Sequence, residues 1–573
     1  MISVFAQWGI DFAIVLLVYF GFGFLLSRFL DSKTKNNPLT WLVFSALFFP
    51  IFIGAQSLFF SINPLIVLTE GAVSWIAALV LMYRPVGKKW RFSLLPEKYR
   101  AHWWELFIYL CACTIFLIIL ILPKLSLLNS NGAAVLDDYN NVNKLLATSF
   151  DLASPKFFHL PTVDLYYYYY DYLLSGTIFR LTSLHAQEAL FIHNILEYIV
   201  FLSIFGYVTF FLFRKKTSRI FFVFCCTLFN GGLDYYLVSL FNRSNPSMTI
   251  DLEWWTRDLF GLTHQISSLY TLFLWVPQHL IAGMAFLLML LLTVKRESYA
   301  NRLLISILLA GILGFSSFVF VTAFISYALI ELFYCITTTN QRSYLRAILF
   351  QMPIFALFAL RPYLVYAGQQ SPLFKQPMSI PLIKQSLFAT NSFFDQVVLT
   401  LLPSANFLLS VLFILFIDLG IVSVFAIAYY LLGNSQKGLA DQQRAFGVYA
   451  LITLVVSVAI LFQMRSVGGN DLFMRGIIVS QITIMIAAAL LLEKIHINKC
   501  AFSVFLIATF FTQGIGVYTE STRLRNYTRI DFPALYVYIK ENLPKDAAVF
   551  TDVVHSQGQF ECPGVTFQAN RMC

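Results

Sequence analysis

Residues 474–493, MRGIIVSQITIMIAAALLLE, contain no charged side chain between Arg475 and Glu493. A helix of about 20 mostly apolar residues is long enough to cross the hydrocarbon core of a bilayer, so this run predicts a transmembrane helix. The whole chain has the same character: of its 573 residues, 59% are hydrophobic and only 12% are charged. Soluble chains average about 25% charged residues. The composition therefore excludes soluble, disordered, fibrous and disulfide-scaffold proteins and indicates a polytopic membrane protein.

Hydropathy predicts an all-α protein with about fourteen transmembrane helices. The predicted spans lie near residues 8–28, 40–60, 65–83, 105–127, 188–213, 218–231, 279–294, 302–314, 316–337, 345–361, 404–432, 446–463, 474–493 and 501–518. Basic residues are concentrated in alternate short connections, such as Arg214 to Lys216, and the positive-inside rule assigns these connections to the cytoplasm. The same rule accounts for the net charge of +10 without a nucleic-acid partner.

This orientation places every long connection on the exoplasmic side of the membrane. The connections concerned are 128–187, 232–278, 362–403 and the tail 519–573. We therefore predict three parts. Residues 1–104 form N-terminal transmembrane helices, residues 105–518 form a transmembrane core with outer loops, and residues 519–573 form a small exoplasmic α/β cap. The cap contains Cys562 and Cys573, and the sequence leaves open whether they form a disulfide.

An acidic pair, Asp137-Asp138, stands in the first long outer loop. Adjacent carboxylates at the mouth of an apolar bundle are costly unless they bind a cation, orient a nucleophile or face water. One carboxylate can accept the proton of an acceptor hydroxyl, and the other can orient it or hold Mg²⁺ or Mn²⁺. We therefore predict Asp137 and Asp138 as the catalytic residues and, if a metal is bound, as its ligands. The alternative is a solvated turn.

The same loop continues with His159-Leu160-Pro161 and then with a stretch rich in tyrosine, residues 164–183. Tyrosine rings favour the headgroup level of a bilayer, so this stretch predicts a helix lying in the membrane interface. An aromatic belt with no further role is the alternative interpretation.

Several other polar residues on the outer side are candidates for sugar or acceptor binding, because flat rings and hydrogen-bonding edges suit a sugar. They are Asp234, Trp254, Trp255, His264 and His279. Each has a simpler alternative: a helix end for Asp234, interface anchoring for the tryptophans, and a hydrogen-bonded interfacial side chain for the histidines.

The predicted donor-phosphate site centres on residues 465–475, RSVGGNDLFMR, a short outer hairpin. Arg475 lies just inside the following span, where an arginine is costly and needs an anion. A polyprenyl phosphate would supply that anion, and Arg465 and Arg361 are further candidates for the same phosphate. Asp471 is predicted to bind sugar or acceptor. Alternatively, it pairs with Arg475 at i,i+4 and caps the helix.

The acidic pair, the His159-Leu160-Pro161 element and the tyrosine stretch together resemble the GT-C class of multi-spanning membrane glycosyltransferases. The resemblance implies transfer of a sugar from a polyprenyl-phosphate-linked donor to a glycan, lipid or protein hydroxyl, with inversion at the anomeric carbon. It also implies an active site on the extracytoplasmic side. We expect a bacterial plasma membrane, with the ER membrane as the alternative. Two departures stand out. The acidic pair follows the fourth span instead of the first, and Leu160 and Thr162 flank a single proline.

A lipid-linked glycan flippase or secondary transporter is the alternative from another class, and an O-antigen-type polymerase or ligase is an alternative enzyme. Transporters favour charges at the membrane midplane and broken helices. In this sequence the ionisable residues crowd the outer rim, with Glu188, Glu197 and Glu331 as exceptions. This asymmetry favours chemistry at the surface over passage through the bundle.

Overall fold

The computed structural model describes most of the helical part of the chain. The described residues are 2–30, 38–83, 109, 111, 114, 141, 144–149, 152, 155–157, 160–164, 168–223, 232–244, 264–294, 299–337, 341–367, 403–432, 440–461, 467–495, 498, 500, 502–504, 506 and 507. The predicted cap 519–573 and the boundary near residue 104 lie outside them.

Within these ranges the elements follow one another in a simple order. They are α1 (Ile2–Leu30), α2 (Pro38–Gln56), α3 (Pro64–Tyr83), β1 (Lys156–Phe157), β2 (Leu160–Asp164), α4 (Tyr172–Leu181), α5 (Ala186–Leu212), α6 (Lys216–Phe221), α7 (Asp234–Ser244), α8 (Leu269–Trp275), α9 (Pro277–Thr293), α10 (Tyr299–Phe315), α11 (Ser317–Thr337), α12 (Gln341–Ala367), α13 (Pro403–Leu419), α14 (Ile421–Leu431), α15 (Asp441–Ile460), α16 (Val467–Gly476) and α17 (Ile478–Lys494). The two strands pair in an antiparallel hairpin.

The helices confirm an all-α polytopic membrane protein. In the described part of the chain, eight helical stretches are long and apolar enough to cross a membrane, and α9, α10 and α14 are shorter apolar helices. The predicted spans 105–127 and 501–518 lie mostly outside the described residues. One predicted span is corrected: residues 404–432 form two helices, because Gly420 adopts a φ of 54° between α13 and α14. A positive φ interrupts the helical backbone and is accessible to glycine at little cost.

The tyrosine stretch is also corrected, because it does not form an interfacial helix from residue 164. Strand β2 ends at Asp164, and α4 begins only at Tyr172. Tyr168, Tyr169, Tyr170 and Tyr172 are all buried inside the protein. A phenol can be buried where its hydroxyl finds a partner, and the hydroxyls of Tyr168 and Tyr172 find theirs on α9.

Tyr170 is held between two helices by glycines. A Cβ atom on Gly54 of α2 would overlap the Tyr170 hydroxyl, and one on Gly314 of α10 would overlap its ring. The Tyr170 backbone N–H also donates to the Gly314 carbonyl at 3.4 Å. The two glycines therefore leave the space that the Tyr170 ring occupies. The packed ring and the backbone hydrogen bond hold the chain in place immediately before Asp171.

The N-terminal helices belong to the same packed core as the later ones. Helix α1 packs against α2, α3 and α4, and α2 packs against α5, α10 and α12. Small residues allow the close approach that membrane helices use: a Cβ atom on Gly23 of α1 would overlap the Trp41 carbonyl of α2. This packing brings side chains of α1 to the candidate site described next.

Candidate functional site

A buried cluster of three ionisable side chains lies where α4 and α5 meet. His193 and Glu197 are separated by one helical turn on α5 and therefore face the same direction. Asp171 immediately precedes α4. Each of the three residues is only 3% exposed. Helix α5 begins close by, where Glu188 accepts a hydrogen bond from the backbone N–H of His185 at 2.7 Å.

The imidazole of His193 is the centre of the cluster. Its Nε2 atom lies 3.3 Å from Glu197 Oε1 and 3.6 Å from Asp171 Oδ2. On the other side of the ring, Nδ1 lies 2.7 Å from the hydroxyl of Tyr19 on α1. The three side chains offer one histidine nitrogen and two carboxylate oxygens that all lie within 4.8 Å of one another. This is a set that can hold a metal ion.

A second group of polar side chains adjoins this cluster through Tyr172. The Tyr172 hydroxyl lies 2.6 Å from Asn141 Oδ1 and 2.9 Å from Gln278 Oε1, at the start of α9. The ammonium of Lys144 lies over the rings of Tyr172 and Tyr168, at 5.3 Å and 5.7 Å from their centroids. Lys144 also interacts electrostatically with Asp171. The acidic cluster and a buried cation are thus neighbours.

His279 links this group to the predicted phosphate site. Its Nε2 lies 2.9 Å from the Tyr168 hydroxyl and its Nδ1 lies 2.7 Å from Ser316 Oγ. Both Arg475 and Lys144 are close enough to act on His279 electrostatically. Two cations from distant parts of the sequence therefore converge at the start of α9.

The structure also brings His264 to this region. Its ring packs edge-on against Phe473, two residues before Arg475, with the ring centroids 4.9 Å apart. The segment that carries His264 is fixed to α17, because Gln481 donates to the Ser267 carbonyl at 3.0 Å. Of the residues predicted from sequence, His264, His279 and Arg475 thus occupy one region.

Asp234 lies beside this region. It begins α7, and the N–H of Leu233 donates to the Ile417 carbonyl of α13 at 2.6 Å. Asp418 in turn accepts from the Ile266 N–H at 2.7 Å.

Arg361 is on α12, and no hydrogen bond, ion pair or ring contact of the described residues joins it to Arg475 or His279.

The remaining predicted site residues cannot be placed. Asp137, Asp138, His159, Trp254, Trp255 and Arg465 lie outside the described residues, and Asp471 belongs to α16 without a described side chain. Sequence reasoning did not select Asp171, His193, Tyr19 or Lys144. The signal that could have found two of the cluster residues is the His193–Glu197 spacing, since ionisable residues inside a span mark a function by default.

A different buried charge cluster lies between α10, α11 and α12. Arg302 Nη1 donates to Glu331 Oε2 at 2.7 Å and to Gln351 Oε1 at 2.9 Å. The Tyr344 hydroxyl donates to the same Glu331 oxygen. Here one cation and one anion pair directly, which is typical of a structural ion pair.

No protein-family model matches this chain, and the comparison with curated proteins finds no match either. The function therefore has to be argued from the side chains that the fold brings together.

Proposed function

We propose that this protein is a membrane glycosyltransferase that moves a sugar from a polyprenyl-phosphate-linked donor to an acceptor hydroxyl. The observation that carries the proposal is the convergence of Arg475, Lys144 and His279 at the start of α9. Orientation by the positive-inside rule puts this end of the bundle outside the cytoplasm. The proposed location is a bacterial plasma membrane, with the site on the periplasmic side.

The start of α9 suits a phosphate on three grounds. The N-terminus of a helix carries a partial positive charge. Arg475 is half-buried, and its Nη1 has no hydrogen-bond partner among the described residues. A guanidinium matches phosphate geometry well. Arg475 and Lys144 would therefore hold the donor phosphate and stabilise it as the leaving group.

Asp137 and Asp138 remain the proposed general base. They stand four and three residues before Asn141, which accepts from Tyr172 inside the site. In the proposed reaction, one of these carboxylates takes the proton of the acceptor hydroxyl. The acceptor oxygen attacks the anomeric carbon, the bond from that carbon to the phosphate oxygen breaks, and the polyprenyl phosphate departs with the electron pair. Attack opposite the leaving group inverts the anomeric carbon.

Native mass spectrometry of the purified chain tests the donor. We expect a polyprenyl phosphate, bare or carrying a sugar, to co-purify with the wild type, and its mass identifies the sugar class. In an Asp137→Asn/Asp138→Asn variant, the sugar-loaded lipid should accumulate, because binding is kept while the base is lost. Arg475→Gln should lose the lipid, whereas Arg444→Gln, an exposed arginine on α15, should keep it. Bulk phospholipid alone in every sample would overturn the proposal.

A carrier of lipid-linked glycans is the second candidate, and a specific observation favours it. Glu197 lies about 16 Å along the axis of α5 from its first residue, so a buried acid stands well inside a span. The broken helix at Gly420, next to the buried Asp418, is a further feature of transporters. Translocation of a fluorescent lipid-linked sugar across proteoliposomes, without any transfer to an acceptor, would favour the carrier.

A further inference from the structure

We propose that Asp171, His193 and Glu197 form a binding site for a divalent transition-metal ion, with Zn²⁺ as the ion that fits best. This site lies apart from the proposed base, Asp137 and Asp138, and the inference does not depend on the transferase reaction. It rests on the spacing of the ligand atoms, on a buried atom without a hydrogen bond to a described residue in each of the three side chains and on the orientation of the histidine.

The ligand spacing matches a metal site. A tetrahedral ion with bonds of about 2.1 Å separates its ligand atoms by about 3.4 Å. His193 Nε2 lies 3.3 Å from Glu197 Oε1 and 3.6 Å from Asp171 Oδ2. These distances are long for hydrogen bonds but correct for two edges of such a polyhedron.

Each of the three side chains has one buried oxygen or nitrogen atom without a hydrogen bond to a described residue. Asp171 Oδ2, His193 Nε2 and Glu197 Oε2 are buried and have no hydrogen-bond partner among the described residues. Buried polar atoms in proteins are normally paired, and exceptions require an explanation such as a bound ion. A single divalent cation would satisfy all three side chains. Lys144 also acts on Asp171 electrostatically.

Tyr19 orients the histidine for metal binding. Its hydroxyl lies 2.7 Å from His193 Nδ1. When the hydroxyl oxygen accepts from Nδ1–H, the lone pair of Nε2 points at the two carboxylates. Metal-binding histidines usually have such a partner on the ring nitrogen that does not bind the metal.

The donor set selects the class of ion. Mg²⁺ and Ca²⁺ prefer oxygen ligands alone, whereas an imidazole nitrogen with carboxylates suits Zn²⁺, and also Fe²⁺ or Mn²⁺. Three protein ligands leave a further position for water or substrate, as in catalytic zinc sites. The site therefore differs in its donor set from Asp137 and Asp138, which would offer a metal only carboxylate oxygens.

The test uses the full-length chain in lipid nanodiscs, loaded with Zn²⁺, dialysed and analysed by metal content and titration calorimetry. We expect one Zn²⁺ per chain and no comparable binding of Mg²⁺. Glu197→Gln and His193→Ala should weaken Zn²⁺ binding by at least about 100-fold, because they remove a ligand outright, whereas loss of an outer-shell partner costs about 10- to 100-fold. Glu188→Gln is the matched control, because it removes a carboxylate near the start of the same helix and should keep the zinc.

A measurement on the wild type alone guards against variants that do not fold. Zn²⁺ should raise the thermal unfolding temperature relative to the protein in EDTA, since a ligand that binds only the folded state stabilises it. If the wild type binds no stoichiometric Zn²⁺, Mn²⁺ or Fe²⁺ and none of them raises the unfolding temperature, the cluster is a metal-free group of charges and the proposal is wrong. Equal zinc binding by wild type, Glu197→Gln and His193→Ala would also overturn it.

Discussion

Two buried charge clusters in this protein contrast in how their charges are balanced. In the first, Arg302 and Glu331 meet at 2.7 Å, so that each charge has its opposite within hydrogen-bonding distance. In the second, Asp171 Oδ2 and Glu197 Oε1 lie 3.6 Å and 3.3 Å from His193 Nε2, and no described side chain other than this histidine stands between the two carboxylates. The contrast teaches that burial of charge does not by itself indicate a site. The second cluster differs in its charge balance, because two carboxylates face a single imidazole.

The largest effect is expected from breaking the ion pair. Glu331→Ala leaves Arg302 as an uncompensated buried charge, which lowers the free energy of unfolding by about 3–5 kcal/mol. Denaturant or thermal unfolding in detergent measures the loss. Zinc binding should be unchanged in the fraction that remains folded, because the pair is structural.

An apolar replacement of both partners sharpens this test. In an Arg302→Met/Glu331→Leu variant, most of the lost stability should return, because buried ion pairs are often no better than well-packed apolar side chains. A double variant as unstable as Glu331→Ala would show that the contribution of the pair depends on more than its own charges.

The next effect comes from Gly314→Ala. The new Cβ atom would overlap the Tyr170 ring, and overpacking of a core costs about 1–3 kcal/mol. Because Tyr170 precedes Asp171 in the chain, zinc affinity should fall together with stability. Gly9→Ala is the control, since nothing lies within 4 Å of its Cβ position. Zinc affinity that survives a real loss of stability would separate the tyrosine from the metal site.

Tyr19→Phe should act on the metal site with little effect on the fold. The variant removes only the hydroxyl at His193 Nδ1, and loss of such an outer-shell partner typically weakens metal binding by about 10- to 100-fold. Zinc titration measures the affinity, and the unfolding temperature in EDTA should remain close to that of the wild type. Unchanged affinity would mean that the ring is oriented by its packing alone.

The smallest effect is expected at a surface pair. Asp441 and Arg444 form an i,i+3 ion pair on α15, with exposures of 92% and 46%. Exposed pairs contribute about 0.2–1 kcal/mol, so Asp441→Asn should change the free energy of unfolding by about 0.5 kcal/mol or less. A loss similar to that of Glu331→Ala would remove the distinction between buried and exposed pairs.

Sequence reasoning reached part of the candidate site. It selected Arg475, His279 and His264, because a polar side chain at the end of an apolar run is conspicuous, and the structure places these residues in one region. It assigned the tyrosines to the membrane interface, whereas Tyr168, Tyr169, Tyr170 and Tyr172 are buried. The side chains that hydrogen-bond to the Tyr168 and Tyr172 hydroxyls are on α9, more than a hundred residues away in the sequence. No local sequence pattern reveals these partners.

The amino-acid sequence by itself determined that the protein is helical and embedded in a membrane, because apolar runs of bilayer length have no other stable environment. It also determined that His193 and Glu197 face the same way, since one helical turn separates them. Only the tertiary structure decided that Asp171 and Tyr19 join them. Their positions depend on how α1 and α4 pack against α5 and on the space that Gly54 and Gly314 leave for Tyr170. Packing between distant segments follows from complementary shapes in three dimensions, which the linear pattern of hydrophobic residues does not encode.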